Sequence, residues 1–287
     1  MPLVSVIVPS HNRRALLREA VESVLGQRGV AIDLIVVDDG SSDGSEGELS
    51  EFGARVRYRW QPQRGVSAAR NAGARLARGR WLAFLDSDDL WLPDKLATQL
   101  AFVSEHPETT ICQTGEIWIR NGVRVNPCRH HRKPDGDVFL ASLQRCVVSP
   151  SAVMLRRELF EATGGFDESL PACEDYDLWL RLARHQQVAL IDRPLVIKRG
   201  GHADQLSRRY WGMDRFRVQA LRKLLAEPGL DQVRRAAVCA VLAEKCAILA
   251  LGAAKRGRHQ EAVAYAALAT APTNPAPGGG GSWLSWS

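Results

Sequence analysis

The chain reads as an α/β protein: a mostly parallel central sheet with helices on both faces, followed by a C-terminal helical appendage. Three observations predict this. Apolar runs with no polar face recur at Leu3 to Val8, Ile32 to Val37 and Trp81 to Leu85, as in strands buried on both sides. Segments of helical spacing stand between them, at the lengths expected of right-handed βαβ crossovers. Each run ends in polar residues, Ser10-His11-Asn12, Asp38-Asp39 and Asp86-Ser87-Asp88. Such ends belong at the carboxyl rim, where open α/β sheets hold their ligands.

Taken in order, Leu3 to Val8 is β-branched and stops at Pro9. Asn12 is placed to cap a helix whose apolar positions are Leu16, Leu17, Ala20, Val21, Val24 and Leu25. Val56 to Trp60 alternates as a shorter strand, and a helix is expected from Val66 to Ala77. After the strand that runs into Asp86, a helix is expected from Pro93 to Glu105 and a strand from Thr110 to Arg120. Val123 to Asp137 is polar and rich in His, Arg and Pro, as in a loop. Ala152 to Leu155 reads as a strand and Arg156 to Ala162 as a helix. Leu178, Trp179 and Leu182 mark the apolar side of another helix. Two short strands, Val188 to Ile191 and Leu195 to Ile197, precede Arg199-Gly200-Gly201-His202. Helices are then expected over Gln205 to Leu225, Leu230 to Leu251 and Gln260 to Thr270. The end, with a glycine run from Gly278 to Gly281, should be flexible.

At 287 residues the chain buries a sizeable core, as one large domain or one domain with an appendage. A net charge of +6 suits anionic ligands but does not choose among a nucleotide diphosphate, nucleic acid and an acidic membrane. Six cysteines without a CxxC read as reduced thiols, not as a disulfide frame or a zinc site. Cys128 with His130 and His131 is either a soft-metal cluster or a solvated loop. No charged-then-apolar leader opens the chain. The longest apolar stretch, Ala236 to Ala254, carries Glu244 and Lys245, so the expected location is cytoplasmic.

The carboxylates carry the chemistry. Asp86 and Asp88 point the same way in extended chain and repel each other unless a cation lies beside them. A hard divalent ion, Mg²⁺ or Mn²⁺, held by one or two carboxylates and completed by water and a diphosphate, would resolve this. A polar turn leading into the next helix would also account for them. Gly65 permits a tight turn, and Arg70, one turn into the next helix, either reaches back to the rim or sits on the surface. Glu174 and Asp175 fall in the first turn of a helix, where free backbone N–H groups stabilise acids. Asp175 is thus a charged acceptor as well as a helix-end residue. His202 follows two glycines and is either a metal or diphosphate contact or an ordinary loop histidine.

Five stretches together, VSVIVPSHN, LIVVDDGSSDGS, GVSAARNAG, GRWLAFLDSDDLWLPDKL and CEDYDLWLRL, resemble in order the motifs of the inverting family 2 glycosyltransferases. The resemblance covers roughly residues 1 to 200 and implies the GT-A fold, a Rossmann-like sheet. It divides the chain into a catalytic domain over 1–200, a helical region over 201–270 and a tail over 271–287. Within the first, the nucleotide-sugar half spans about 1–90 and the acceptor half about 91–200. It also implies that Pro9, His11 and Asp39 line the base and ribose of a nucleotide sugar, with Asn12 on the same rim. His11 departs from the commoner tyrosine of that motif. Arg70 would lie near the phosphates, Asp86 would touch the sugar nucleotide, and Asp88 would hold the divalent ion. His202 would complete the metal or diphosphate shell, and Asp175 would be the general base with Glu174 beside it.

The implied activity moves a sugar from a nucleotide-diphosphate donor, a UDP-sugar first, to a hydroxyl of a glycan or lipid-linked acceptor in cell-surface polysaccharide synthesis. Peripheral attachment at the inner face of a membrane follows from a lipid-linked acceptor. The competing class is a non-catalytic module that binds a nucleotide sugar without reacting it. Nucleic acid is not an expected partner, since no binding motif or interleaved stacking aromatics accompany the charge.

Overall fold

A computed structural model describes residues 3–125, 132–201 and 210–271. Among these residues a nine-stranded sheet has the order β3 (Val56–Gln61), β2 (Ile32–Asp39), β1 (Val4–Ser10), β4 (Trp81–Phe84), β8 (Val153–Arg156), β6 (Ile111–Arg120), β9 (Ala189–Gly200), β5 (Leu90–Trp91), with β7 (Val123–Val125) paired to β6. The first half is parallel, as the apolar runs require. It consists of β1, β2, β3 and β4. Register sets Val4 beside both Ile32 and Trp81, so the three polar strand ends emerge on one rim. In the second half, β8 runs antiparallel to both β4 and β6. The strand β9 runs parallel to β6, and the short β5 closes the far edge.

Helices cover both faces because β1 and β2 are apolar on both. Val4, Val6, Val8, Leu34 and Val36 pack with α1 (Arg14–Leu25) and α4 (Lys95–Glu105). Ile7, Ile35, Val37, Leu82 and Phe84 pack in the other layer, which includes α3 (Val66–Leu76), α6 (Arg157–Ala162) and α7 (Glu174–Ala183). That layer extends without a break into α5 (Phe139–Gln144), α8 (Asp214–Ala226), α9 (Gln232–Lys255) and α10 (His259–Thr270). The small α2 (Ser45–Ser50) lies beside α1. A Cβ on Gly73 of α3 would sit 2.4 Å from Ile7 Cγ2, so glycine lets this helix lie directly on β1.

Several expectations need correction. Asn12 does not cap α1: its φ is +49°, and the Arg14 amide donates instead to Asp43 Oδ2 at 2.8 Å from the β2 rim. The two short strands after residue 188 are one strand, β9, irregular against β6 around Gly115. The stretch after Gly122 is not wholly a loop, since β7 (Val123–Val125) folds back on β6 through Asn121 and Gly122. Of the helix expected over Gln205 to Leu225, residues 205–209 lie outside the described residues, 210–213 are not helical, and α8 begins at Asp214. Cys128, His130, His131, His202 and the glycine-rich tail lie outside the described residues. The five described cysteines are free thiols.

Candidate active site

Each strand end presents its side chains by local necessity. Asp38 accepts from the Ser41 amide at 2.7 Å and from the Tyr58 hydroxyl at 2.6 Å. Asp39 accepts from Gln61 Nε2 (2.8 Å) and from the amides of Arg64 (2.9 Å) and Gly65 (2.7 Å). It thereby fixes the turn into α3, where Gly65 has φ +94°. His11 Nδ1 donates to the Asp39 carbonyl at 2.8 Å. Its Nε2 is then the acceptor for the side-chain amides of Asn12 and Gln63, each at 3.2 Å. These contacts hold the ring between the ends of β1 and β2. Pro9 is buried in β1 beneath it.

Arg70 joins the two acidic motifs. It is buried at 3% exposure, and its guanidinium reaches Glu174 Oε1 at 2.7 Å and Asp86 Oδ1 at 2.6 Å. It also lies 5.0 Å above the Phe166 ring. Arg70 is therefore not a surface residue. Burial pushes the Asp86 carboxyl up, but Arg70, Lys198 and Arg13 hold it below the usual range. Burial and the adjacent Asp175 push Glu174 up, against the pull of Arg70. Breaking such a buried arrangement from one side would leave an uncompensated charge.

The loop after β4 is tied down on both sides. Asp88 Oδ2 pairs with Arg13 Nη1 at 2.5 Å. Asp89, which the sequence reading did not single out, is 2% exposed and accepts from Ser151 Oγ (2.6 Å) and the Arg199 amide (3.0 Å). Burial pushes its carboxyl up to about 7, with Lys198 opposing and Asp86 and Asp88 adding to the rise. Arg199 also donates to the Asp88 carbonyl and pairs with Glu19. Asp89 thus fastens the end of β9 to the Asp86–Asp88 turn.

Asp175 is half-buried at the start of α7. Its Oδ1 accepts from the Tyr176 amide at 2.7 Å and its Oδ2 from Cys146 Sγ at 3.3 Å. Between this acid and the Asp86 turn lies a second group that sequence reasoning missed. Lys198 Nζ donates to Ser149 Oγ at 2.9 Å. Burial opposes its charge, but Asp89, Glu116, Asp86 and Asp175 raise its pKa and keep it protonated. Glu116 is pushed up by burial and pulled down more strongly, to about 2, by Lys133 and Lys198. The sequence signal was there: Lys198 directly follows the apolar run Leu195 to Ile197, and a lysine carried inward by such a strand needs carboxylates around it.

The donors suit a hard divalent ion. Asp86 and Asp88 offer carboxylate oxygens two residues apart, and Mg²⁺ needs only one or two such groups beside phosphates. Their pairing with Arg70 and Arg13 is how two neighbouring acids are neutralised by the protein itself. Among the described residues no cluster of three or more His, Cys, Asp or Glu is gathered for a metal. A cavity of ≈ 690 Å³ lies elsewhere, between α3, α6 and α8, and is lined by Asn71, Phe160, Glu168 and Lys223.

The family model described as "Glycosyl transferase family 2" matches residues 5–164, more than half of the chain. A second, "Glycosyltransferase like family 2", matches residues 134–226. An uncharacterized glycosyltransferase of Rickettsia bellii is 31% identical over 219 residues, covering 72% of this chain and 31% of its own length. A second from Rickettsia prowazekii is also 31% identical, covering 71% and 65%. The chain thus spans between about a third and two thirds of the length of these relatives. The Escherichia coli UDP-Glc:alpha-D-GlcNAc-diphosphoundecaprenol beta-1,3-glucosyltransferase WfgD is 30% identical, covering 66% of this chain and 73% of its own. Among solved structures, S. aureus TarS with UDP-GlcNAc superposes with a TM-score of 0.71 at 17% identity, covering 92% of this chain and 90% of that one. The mannosyltransferase PcManGT of Pyrobaculum calidifontis with GDP-Man and Mn²⁺ gives 0.58 at 18% identity, covering 95% and 88%. These likenesses show that the expected GT-A fold is present.

Proposed function

The chain belongs to glycosyl transferase family 2, and from that premise we propose that it is an inverting transferase. It moves a sugar from a nucleotide diphosphate, a UDP-sugar first, to a hydroxyl of a glycan or lipid-linked acceptor in cell-surface polysaccharide synthesis. The observation that carries this reading is the buried Glu174–Arg70–Asp86 bridge. It pins the start of α7, which bears Asp175, to the loop after β4, which bears Asp88. A proton acceptor and a diphosphate-binding turn, far apart in sequence, thus share one rim.

On this proposal Pro9, His11, Asn12 and Asp39 receive the base and ribose. Arg70, Arg13 and Lys198 supply positive charge along the diphosphate, and Asp86 and Asp88, with His202, hold a Mg²⁺ or Mn²⁺ ion. When bound, that ion would offset the charge that builds on the departing diphosphate. Asp175 accepts the proton of the acceptor hydroxyl while its oxygen bonds to the anomeric carbon. The bond from that carbon to the diphosphate breaks on the opposite face, and its electron pair leaves with the diphosphate, so the configuration inverts. Glu174, through its ion pair with Arg70, fixes the first turn of α7 from which Asp175 projects. The complexes of TarS with UDP-GlcNAc and of PcManGT with GDP-Man and Mn²⁺ support the donor and ion classes. The lipid diphosphate in the name of WfgD supports the acceptor class, and with it a peripheral station at the inner membrane face.

Thermal shift with nucleotide diphosphates and their sugars, with Mg²⁺ or Mn²⁺, tests the donor, because a ligand of the native state stabilises by mass action. Asp175→Asn should keep that stabilisation and lose transfer by about 10²- to 10⁴-fold. Full transfer by Asp175→Asn would overturn the catalytic assignment. Stabilisation of the wild type by a nucleotide sugar, without turnover on any acceptor, would favour a binding module.

A further inference from the structure

Helix α9 shows solvent a face that a globular protein ordinarily covers. Its inward stripe, Val238, Val241, Leu242, Cys246 and Leu249, is buried in the core. The opposite stripe is apolar too: Val233, Ala240, Ala247, Ile248 and Leu251 are exposed, Ile248 at 53% and Leu251 at 66%. The charged member of that stripe, Glu244, is held by Gln144 Nε2 at 3.2 Å.

A cationic collar stands at the C-terminal end of the stripe. Trp211 has the guanidinium carbons of Arg215, Arg258 and Arg256 at 4.0, 4.3 and 5.6 Å from its ring. Lys255 is exposed beside them. A groove of ≈ 230 Å³ runs between Trp211, Met213, Ile248 and Arg256. The acids nearby offset this charge only in part: Asp214 is shared by Arg217 (2.8 Å) and Lys245 (3.3 Å), and Glu261 pairs with Arg258 at 3.7 Å, one carboxylate against three arginines and Lys255. An indole among arginines, next to exposed Ile and Leu, matches the headgroup level of a bilayer: apolar groups below, cations against phosphates above.

Three occupants fit an apolar helix face, and the surroundings choose among them. By length and composition alone α9 could cross a membrane. Its buried half, however, includes Lys245, ion-paired to Asp214, and Cys246, packed in the core, so crossing would strip the helix from the fold. A second copy docked by two-fold symmetry would bring the same arginines together. An anionic lipid surface complements both the apolar stripe and the collar.

Resting on the reading that the acceptor hangs from a lipid, we propose that the exposed face of α9 and the Trp211 collar dock the chain peripherally on an anionic phospholipid bilayer. The position suits the chemistry. Cys173 Sγ donates to the Met213 carbonyl at 3.7 Å, and Cys173 is followed directly by Glu174 and Asp175. The docked surface therefore adjoins the acid that meets the acceptor.

Flotation of the whole chain with vesicles of phosphatidylcholine, alone or mixed with phosphatidylglycerol, tests this. Wild type should float with the mixed vesicles at low salt and stay behind with the neutral ones. The pair Ile248→Glu/Leu251→Glu and the pair Arg256→Glu/Arg258→Glu should each reduce flotation about tenfold or more. The substituted side chains are exposed, so the thermal shift produced by the nucleotide donor should be unchanged. Equal binding to both vesicle types, no binding to either, or unaffected variants would overturn the proposal. A change of oligomeric state in gel filtration without a change in flotation would overturn it in favour of a second copy. Failure of the transferase reading would appear in the nucleotide shift and leave flotation as it is.

Discussion

Lys95 carries an ammonium group into the core beside β5, with no exposed surface. Its Nζ donates to Gln99 Oε1 at 2.8 Å and lies 3.9 Å from the Trp91 ring centre. Burial pushes its pKa down to about 7. An unfolded lysine keeps its proton to about pH 10.4. Between pH 7 and 10 the unfolded chain therefore binds more protons, and stability rises with pH. Over that window the wild type should gain on the order of 3 kcal/mol that Lys95→Met does not, read from urea melts at each pH. Equal pH dependence in the two proteins would place the charge of Lys95 elsewhere. At this scale the sequence named acids better than their partners. Asp86, Asp88, Glu174 and Asp175 advertise themselves by clustering. Arg70, Asp89 and Lys198 acquire their surroundings only when distant strands meet, although small neighbours such as Ala68, Ala69 and Gly73 mark the face of α3 that Arg70 shares as buried.

Helix α3 illustrates how an element is placed by what it lacks. Glycine inside a helix ordinarily costs about 1 kcal/mol relative to alanine. At Gly73, however, a Cβ would meet Ile7 Cγ2 at 2.4 Å within a fully buried layer. Overpacking of that kind costs about 1–3 kcal/mol, so the clash should outweigh the gain in propensity. Gly73→Ala should therefore lower the melting temperature, and it should weaken nucleotide stabilisation because α3 carries Arg70. A higher melting temperature would mean that the helix can ride up without loss. The parallel strands and their crossovers were legible because each is a short apolar run between breakers. The unity of β9 was not, because Asp192-Arg193-Pro194 has the composition of a turn. These residues are exposed where β9 shifts register against β6, so the strand tolerates them at its irregularity. The break before α8 was not legible because Tyr210 and Met213 continue the helical spacing of apolar residues, while Gly212, at φ +60°, precedes its first turn.

Across the whole molecule, one apolar layer runs from Ile7 on β1 through Trp179 on α7 to Leu242 on α9 and Tyr265 on α10. Leu242 is fully buried, and truncating such a leucine costs about 2–5 kcal/mol. If the layer is cooperative, Leu242→Ala should shift the nucleotide-sensitive melt by that amount, and tryptophan fluorescence and far-ultraviolet dichroism should report one transition. Two transitions, with the donor-binding one unmoved, would make the C-terminal helices a separate folding unit. Composition alone did not reveal this continuity: the Ala-rich helices read as an appendage because alanine says little about what it packs against.

The arginine pairings at the rim have a last consequence. Asp88 and Asp86 already have cationic partners in Arg13 and Arg70, so the charges at these two acids are paired before any ligand arrives. On the proposed reading, capture of a diphosphate would be an exchange of partners at contact, with guanidinium groups passing from carboxylate to phosphate. The residence time of the bound molecule, more than the speed of its arrival, would then carry the discrimination.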